Sequence, residues 1–534
     1  MEQTNNSRIW NLIGLGLVII FFLVAAIPMV WKSFTQSLPT DSKEITIRFA
    51  HWQLEGGVRR AFDLAAAEYT KLHPNIRVEQ LAIPDKIYVN WLITQLIGGT
   101  APDIVQMGKG MSDERTTRYF LPTSALSTKP NPYNKGTTLE NTPLRETFID
   151  DMESVFSTTL LDHYGVPLSA FTLRMYYNLD LLQEITGSTE LPATYGQFAT
   201  LLKQTTEFSQ KTKKRLYHIA ASGDNAPSLI DKVFRSQTGK LGDGLAYDFL
   251  PSTRPPAAHL GMAFANGEWD FNEPSMRAAV TLLRHLGSHL QPGFMQVSRD
   301  DAMFNFIQGN ALMMPGGSWD YSSISAQADF PVGVGMIPTP LPDEDSRWPF
   351  SEGIISDEST NASVVMAVTK ESRHSEIAQD FLLFLCSLAT NEMWAQESGW
   401  LPAVRSAKIG SESQSFMPNL NGFTGGFSPG FSGADTKRVV QTSIGLAVNP
   451  NGSVDKFTNH LNSEFRNALA SDLERNAIAA KINSQRADTV SLALYVLSQN
   501  GDASAADKLA IQLEGMSATD RGYQLGLQAI KLLK

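Results

Sequence analysis

Predicted strands and helices alternate from residue 45 onwards, and this alternation constrains the fold more than any other feature of the chain. The run "ITIRF" at 45–49 predicts a first strand, and similar runs predict strands at 76–83 and 103–107. Apolar residues at helical spacing predict helices over 57–72 and 86–98 between these strands. Strands that alternate with helices form βαβ units, so we predict an α/β fold with a largely parallel sheet.

Local signals mark two further helices. Thr194 and Gln197 have the spacing of a capping box, in which each side chain bonds the backbone of the other residue. Beyond Asn272, apolar side chains recur on one face of a predicted helix. They are Met276, Ala279, Val280, Leu283 and Leu286.

The length of 534 residues exceeds what one hydrophobic core usually organises, so we expect two packed lobes with appended segments. The formal net charge of −10 at pH 7 is opposite in sign to that of a nucleic-acid-binding surface, so we predict no nucleic-acid partner. The only cysteine, Cys386, lies in the apolar helix pattern "FLLFLCSL" and is predicted to be a buried, unreactive side chain.

The N-terminal segment contains an uncharged, apolar run from residue 9 to residue 31. About 20 such residues suffice to cross the hydrocarbon core of a bilayer, so we predict a single-pass membrane anchor within residues 1–32. The alternative is a cleaved secretory signal, for which the small residues "VAA" at 24–26 would supply a cleavage site. Residues 33–44 are polar and are predicted to be a linker.

A tryptophan follows a predicted strand at two distant points of the chain. Trp52 lies in "FAHWQLEGG" after the first strand, and Trp319 lies in "PGGSWD" after the strand "ALMM" at 311–314. In open α/β sheets, ligands bind in the crevice outside the carboxyl ends of the strands. We therefore predict that the two tryptophans meet at one cleft, with packing in a hydrophobic core as the alternative for each of them.

A series of short motifs follows in a definite order. These are "ITIRFAHWQLEGG", "LHPNIRVEQ", "GGTAPDIVQMG", "YGVPLSAFTLRMYYNLDLL", "LPATYGQF", "FIQGNALMMPGGSW", "VGVGMIPTP", and "SEIAQDFLLFLCS" with "SGWLPA". In this order they resemble the extracellular solute-binding proteins of carbohydrate ABC importers, the family that includes maltose-binding protein. The resemblance implies two α/β lobes in a periplasmic-binding-protein-like fold, joined by hinge segments that close over a ligand.

The resemblance also implies a division of the chain and a place in the cell. Residues 45–470 would form the two-lobed solute-binding domain, and residues 471–534 would be a helical C-terminal extension, either a packing cap or a docking element. The protein would be a membrane-anchored, extracytoplasmic subunit of an ABC importer that delivers a sugar or oligosaccharide to the permease subunits. Its large domain would face the periplasm or exterior of a bacterial cytoplasmic (inner) membrane. The family is usually released by cleavage or tethered by a lipidated cysteine; this sequence lacks that cysteine and has a long apolar segment instead.

Sugars present apolar C–H faces and hydroxyl edges, so a sugar site needs flat aromatic side chains and fixed polar groups. Trp52 and Trp319 are predicted to be the aromatic platforms. Further aromatic contacts are predicted from Tyr177, or its neighbour Tyr176, and from Trp400. The polar contacts are predicted to come from Glu55, Met107, Gly108, Asp224, Asn225, Gly317 and Glu352.

Competing classes lack their motifs in this sequence. No motif singles out the carboxylate pair of a glycosidase, and "HLGSH", with His285 and His289, lacks the glutamate of a zinc protease helix. A phosphate-binding loop with the Gly-Lys-Ser/Thr pattern does not occur in the sequence. We therefore predict a binding protein rather than an enzyme, with no metal and no cofactor. A sensor or partner-loading protein for a non-sugar solute, such as a glycerol phosphate or a peptide, is the alternative.

Overall fold

The computed structural model describes most of the chain from residue 44 onwards. The described residues are 44–108, 111, 113–157, 162–245, 256–342, 344, 346–357, 361–419, 421–501 and 503–534. The anchor predicted at 9–31 and nearly all of the predicted linker lie outside these residues. Within the described ranges, no helix combines the length and the apolar character needed to cross a bilayer.

The first lobe is organised by a six-stranded sheet. Its strands are β1 (Ile45–His51), β2 (Ile76–Ala82), β3 (Ile104–Gln106), β6 (Val166–Phe171), β11 (Asn361–Val368) and β12 (Leu401–Pro402). The order is β12-β6-β11-β3-β1-β2. β1 runs parallel to β2 and β3, as the alternation of strands and helices predicts. β11 is antiparallel to β3 and β6, and β12 is antiparallel to β6, so the sheet is mixed and the prediction of a largely parallel sheet is correct only for β1, β2 and β3.

The second lobe contains a four-stranded sheet in the order β10-β7-β9-β8. β9 is antiparallel to β7 and parallel to β8. The strands are β7 (Leu173–Asn178), β8 (Tyr217–Ile219), β9 (Ala311–Gly317) and β10 (Val332–Gly335), while β4 (Phe156–Ser157) and β5 (Asp162–His163) form a separate pair.

Helices cover both sheets. They are α1 (Gly56–Leu72), α2 (Asp85–Gly98), α3 (Asp113–Tyr119), α4 (Ser124–Ser127), α5 (Leu179–Thr186), α6 (Tyr195–Thr212), α7 (Ala226–Gly244), α8 (Ala257–Ala265), α9 (Pro274–Gly287), α10 (Arg299–Ile307), α11 (Tyr321–Gln327), α12 (Ser375–Leu385), α13 (Leu388–Ser398), α14 (Ala434–Val448), α15 (Val454–Gln499) and α16 (Ala503–Leu533).

The buried faces of these helices follow the predicted periodicity. In α1, Val58, Ala61, Phe62, Ala65 and Tyr69 are buried, because positions three and four residues apart share one face of a helix. They join the first-lobe core. The capping box of α6 and the buried face of α9 are present as predicted, and Cys386 is fully buried.

The two lobes are connected by chain segments that cross between them. β6 leads directly into β7 through Thr172, and the described part of the chain crosses again after β10 and after β12. Thr172 donates its hydroxyl to the carbonyl of Phe416 in the third crossing segment, at 2.7 Å. This bond links two of the crossings, and closure of the lobes would turn about this region.

The C-terminal helices α15 and α16 form an antiparallel hairpin, in which Arg466 donates to the carbonyl of Leu533 and Ser484 to the carboxylate of Asp520. α15 begins before the boundary predicted at residue 471 and continues across it. The first half of α15 belongs to the core of the second lobe, because a regular series of its apolar side chains is buried there. These are Phe457, Leu461, Phe465 and Leu469.

Candidate functional site

The loop after β1 is held in place by the end of β3. Gln106, at the carboxyl end of β3, is almost completely buried, and its Oε1 accepts hydrogen bonds from the backbone N–H of Trp52 (3.3 Å) and from Nε2 of Gln53 (3.4 Å). Tyr88 donates its hydroxyl to the carbonyl of Gln106 at 2.9 Å. Because the two strand ends are tied together, Trp52 stands at the carboxyl edge of the first-lobe sheet.

Trp52 is half-buried and packs edge-on against Tyr88, with ring centroids 5.0 Å apart. Gly108 lies next to this ring: a Cβ added to it would be 3.5 Å from the Trp52 indole. Its φ of +138° is a backbone conformation that favours glycine. Met107, between Gln106 and Gly108, donates its backbone N–H to Val365. The structure thus brings Trp52, Met107 and Gly108 together, as predicted.

The turn after β9 is tied to the crossing between the lobes. The N–H of Ser318 donates to the carbonyl of Thr172 at 2.9 Å, and the N–H of Thr172 donates to Oγ of Ser318. Trp319 packs edge-on against Phe171, with centroids 5.0 Å apart, and lies partly buried against the first-lobe core. A tryptophan carried by a second-lobe strand therefore reaches the first lobe.

Arg299 and Asp320 form an ion pair beside this turn, and Asp320 is 4% exposed. Oδ2 of Asp320 also accepts the N–H of Gly317 at 3.2 Å. Burial raises the pKa of Asp320, and the Arg299 guanidinium opposes this shift. The backbone N–H of Arg299 donates to Oδ2 of Asp224 at 3.2 Å. Asp224 is exposed at the start of α7, so this carboxylate belongs to the same surface as the turn.

The two turns converge across the lobes. The negative charge of Glu55, at the start of α1 in the first lobe, contributes to the raised pKa of Asp320 in the second. Nearby, a Cβ added to Gly399 of the first lobe would lie 3.4 Å from Cβ of Ser322 on α11. The candidate site is accordingly the junction of the β1, β3 and β9 strand ends, as the positions of Trp52 and Trp319 predict.

Four residues that were predicted to contact the ligand have side chains that are bonded, buried or placed elsewhere. Asn225 lies at the site, but its side chain is already hydrogen-bonded to the backbone. Its Oδ1 accepts from the N–H of Ser222, and its Nδ2 donates to the carbonyl of Pro315. Tyr177 is 0% exposed in the second-lobe core, and Trp400 is 4% exposed in the first-lobe core, edge-on to Trp394. The structure places both rings in cores rather than in the cleft, in disagreement with their prediction as ligand contacts. These aromatic side chains fill the interior of their own lobes.

Glu352 also lies apart from the other predicted residues. Its carboxylate is next to Gly239, near the end of α7, whereas Asp224 precedes the start of that helix. At about 1.5 Å of helix per residue, roughly 20 Å separates Gly239 from the start of α7. The prediction of Glu352 as a cleft residue therefore disagrees with its position.

Three residues of the site were missed by the sequence prediction: Gln106, Arg299 and Asp320. No local pattern of the sequence marked them, although Ser298 before Arg299 has the character of a helix cap. Among the described residues, no group of histidine, cysteine, aspartate and glutamate side chains could hold a metal ion. The arrangement offers two aromatic rings, carboxylates and one guanidinium, which suit the binding of a polar solute.

Gly317 is predicted to be intolerant of any side chain. A Cβ there would lie 2.4 Å from the ring of Trp319, although the φ of −92° allows other residues. We expect Gly317→Ala to displace the indole and to destabilise the protein by about 1–2 kcal/mol. Thermal unfolding and the near-ultraviolet circular dichroism of tryptophan measure both effects. Gly410→Ala is the control, since no atom lies within 4 Å of its added Cβ, and an equal effect of the two changes would contradict the prediction.

Comparison with known proteins identifies the family. Residues 65–415 match the family of bacterial extracellular solute-binding proteins, which is more than half of the chain, and the protein belongs to this family. A relative, an uncharacterized ABC transporter extracellular-binding protein of Pyrococcus horikoshii, is 22% identical over 320 residues. The match covers 57% of this chain and 63% of that relative, so the chain spans less than two thirds of it.

Solved structures share the two-lobed α/β fold. The apo form of RafE from Streptococcus pneumoniae has a TM-score of 0.54 at 17% identity, covering 81% of this chain and 100% of RafE. The GacH receptor of Streptomyces glaucescens, solved with and without acarbose, has a TM-score of 0.52 at 15% identity, covering 79% of this chain and 98% of GacH. The family and these neighbours are binding proteins rather than enzymes.

Proposed function

We propose that the protein binds a sugar or oligosaccharide between its two lobes and delivers it to the permease of an ABC importer. The observation that carries this proposal is that Trp52 and Trp319 stand in turns of opposite lobes that border one junction, where the charge of Glu55 acts on Asp320. Aromatic rings offer flat apolar surfaces to the C–H faces of a sugar, and the neighbouring carboxylates and guanidinium accept and donate hydrogen bonds to its hydroxyls. The sugar ligands named for the fold's solved neighbours are consistent with this chemistry.

Delivery to a permease requires the protein to stay near the membrane on its outer side. The apolar segment at residues 9–31 supports a single-pass anchor in the cytoplasmic membrane, with both lobes facing the periplasm or exterior. The relative from P. horikoshii is described as an ABC transporter binding protein, which supports an importer as the partner.

A ligand screen tests the proposal. The purified chain is mixed with mono- and oligosaccharides, and thermal unfolding and calorimetry are recorded for each. A ligand that binds only the folded state raises its stability by about 2.7 kcal/mol at one hundred times Kd, and it is not consumed. Turnover of a sugar, or no stabilisation by any sugar class, would reject the proposal; stabilisation by a glycerol phosphate or peptide would favour the alternative solutes.

Replacing either platform should weaken binding of the sugar found in that screen. Trp52→Ala and Trp319→Ala are each expected to raise Kd about tenfold, or about 1.4 kcal/mol, because a half-buried ring loses its contact with the ligand. Calorimetry measures the change. Trp400→Phe is the matched control, expected to lower thermal stability and to leave Kd unchanged because Trp400 lies in a core. A larger loss of affinity for Trp400→Phe would show that the platforms are wrongly assigned.

A further inference from the structure

Glu55 carries an unsatisfied group at the junction of the lobes. Its Oε2 atom is shielded from solvent and has no hydrogen-bond partner, although Glu55 occupies the position before the first residue of α1. Residues at that position commonly cap the helix, but the Glu55 side chain makes no capping bond. A carboxylate oxygen removed from water without a partner is costly, so this atom is suited to accept a bond from a bound molecule.

Arg299, a cation beside the junction, is already bonded to other residues of the second lobe. Arg299 is paired with Asp320, whose second oxygen holds the N–H of Gly317, and the Arg299 backbone N–H is bonded to Asp224. The guanidinium thus balances Asp320, while Glu55 and Asp224 add further negative charge. On the other side, Arg60 is paired with Glu397 on α13. Glu55, Asp224 and Asp320 carry three negative charges against the single positive charge of Arg299, so the surface beside the two turns is negative.

We infer that the solute bound between the lobes presents a positively charged amino group to Glu55, and that it is an amino sugar or an oligosaccharide with a free amine. This inference rests on the proposed function and narrows its ligand class. An ammonium group donates up to three hydrogen bonds and carries the opposite charge, so it satisfies Oε2 of Glu55 and offsets its desolvation. A hydroxyl group donates a hydrogen bond to Oε2 of Glu55 but carries no opposite charge. An anionic sugar is repelled by Glu55, Asp224 and Asp320.

Sets of related sugars test the inference, and within each set the amine and its hydroxyl twin differ only at C2 of each sugar unit. Glucosamine, glucose, N-acetylglucosamine and glucuronate form one set; the β-1,4 tetramers of glucosamine, glucose and N-acetylglucosamine form another; galactosamine and galactose form a third. We expect the amine to bind at least tenfold more tightly than its hydroxyl twin at pH 7 in at least one set. The preference should shrink as salt is added, because charge pairs are screened.

Two variants test whether Glu55 is responsible for the preference for the amine. Glu55→Gln is expected to abolish the preference for the amine while changing the affinity for the hydroxyl twin by less than about threefold, since the amide still offers an oxygen. Glu397→Gln is the matched control, because its carboxylate is close by on α13 and already paired with Arg60. It should leave the preference intact. Thermal unfolding of both variants without ligand establishes that each is folded.

The outcomes separate this inference from the proposed function. If neutral or anionic sugars bind as tightly as their amine twins, the inference is overturned and sugar binding stands. If the amine preference survives Glu55→Gln, the assignment to Glu55 is overturned. If no sugar of any set binds, the inference is overturned, and the wider screen of all sugar classes decides the proposed function separately.

Discussion

Replacing Asp357 with asparagine is expected to destabilise the protein by roughly 3–5 kcal/mol, because the change leaves buried cations without their counter-ion. Asp357 is 2.9 Å from the guanidinium of Arg174 and 3.7 Å from Nζ of Lys232. The side chains of Arg174 and Asp357 are 0% and 7% exposed. Breaking such a pair costs far more than breaking one at the surface, since solvent does not take over the lost interaction.

The ion pair of Arg174 and Asp357 lies where the crossing segments meet and stabilises their arrangement. Arg174 follows the crossing at Thr172 and also donates to the carbonyls of Ser415 (3.0 Å) and Met417 (2.7 Å) in the third crossing. Asp357, in the second crossing, accepts the N–H of Asn419 at 3.0 Å. The pair therefore connects all the crossings that the structure describes, and its loss should loosen the hinge as well as the fold.

Lys232 and Arg174 should respond differently to the loss of Asp357. Burial lowers the pKa of Lys232 and the charge of Asp357 opposes that shift, so without Asp357 the lysine can release its proton. Arginine retains its proton at any ordinary pH. The destabilisation by Asp357→Asn is therefore expected to persist in alkaline solution, where Lys232 is neutral.

Denaturation by urea measures the effect, with Asp151→Asn as the matched control. Asp151 pairs with Arg405 at 2.7 Å, but their side chains are 53% and 45% exposed. An exposed pair contributes at most about 1 kcal/mol, so the control should barely shift the transition. Equal shifts in the two variants would show that the buried pair contributes no more than a surface pair.

Much of the fold could be predicted from local sequence patterns. The structure has β1 at 45–51 and α1 at 56–72, close to the predicted 45–49 and 57–72, because side-chain alternation and helical spacing are properties of adjacent residues. The same holds for the positions of Trp52 and Trp319 after strand ends. The local patterns did not predict that β11 joins the first-lobe sheet antiparallel to β3. The pairing of strands that are distant in sequence does not affect the pattern of adjacent side chains.

The details of the site depended on longer-range contacts. Tyr176 and Tyr177 are both fully buried, because β7 lies between β9 and β10 and both faces of the strand are covered. Alternation along a strand cannot show this. Arg299 and Asp320 belong to separate elements, so only the folded chain brings the guanidinium to the carboxylate. Glu352 lies in the second crossing segment, whose path depends on contacts with α7, and its position was therefore beyond prediction.

Acidification from pH 6.5 to pH 4 is expected to remove up to roughly 3 kcal/mol of stability through His51 alone. His51 is 0% exposed at the end of β1, and burial lowers the pKa of its imidazole to about 4. Its Nδ1 accepts the N–H of Gln53 at 3.2 Å, so Nε2 carries the proton and donates to Oε1 of Gln80 at 2.8 Å. The bond that Nδ1 accepts requires the neutral ring, since both nitrogens of a protonated imidazole are donors.

The sign of the effect follows from the two pKa values. The unfolded chain takes up a proton near pH 6.5 and the folded chain only near pH 4, so falling pH favours unfolding within this window. The contribution of His51 is complete above pH 6.5 and is lost towards pH 4. The pKa of His289 is also lowered to about 4, first by burial, and acts in the same direction.

Unfolding curves between pH 7 and pH 4 for the natural protein and for His51→Gln test this expectation. The variant should be less stable at pH 7 but lose less stability on acidification, so that the two curves approach each other at pH 4. His460→Gln, at an exposed position of α15, should keep the natural slope. Parallel curves for the natural protein and His51→Gln would refute the role of His51. Because protonation of the folded chain breaks the bond from Gln53, which follows Trp52, the affinity for a bound sugar should fall only as the pH approaches 4.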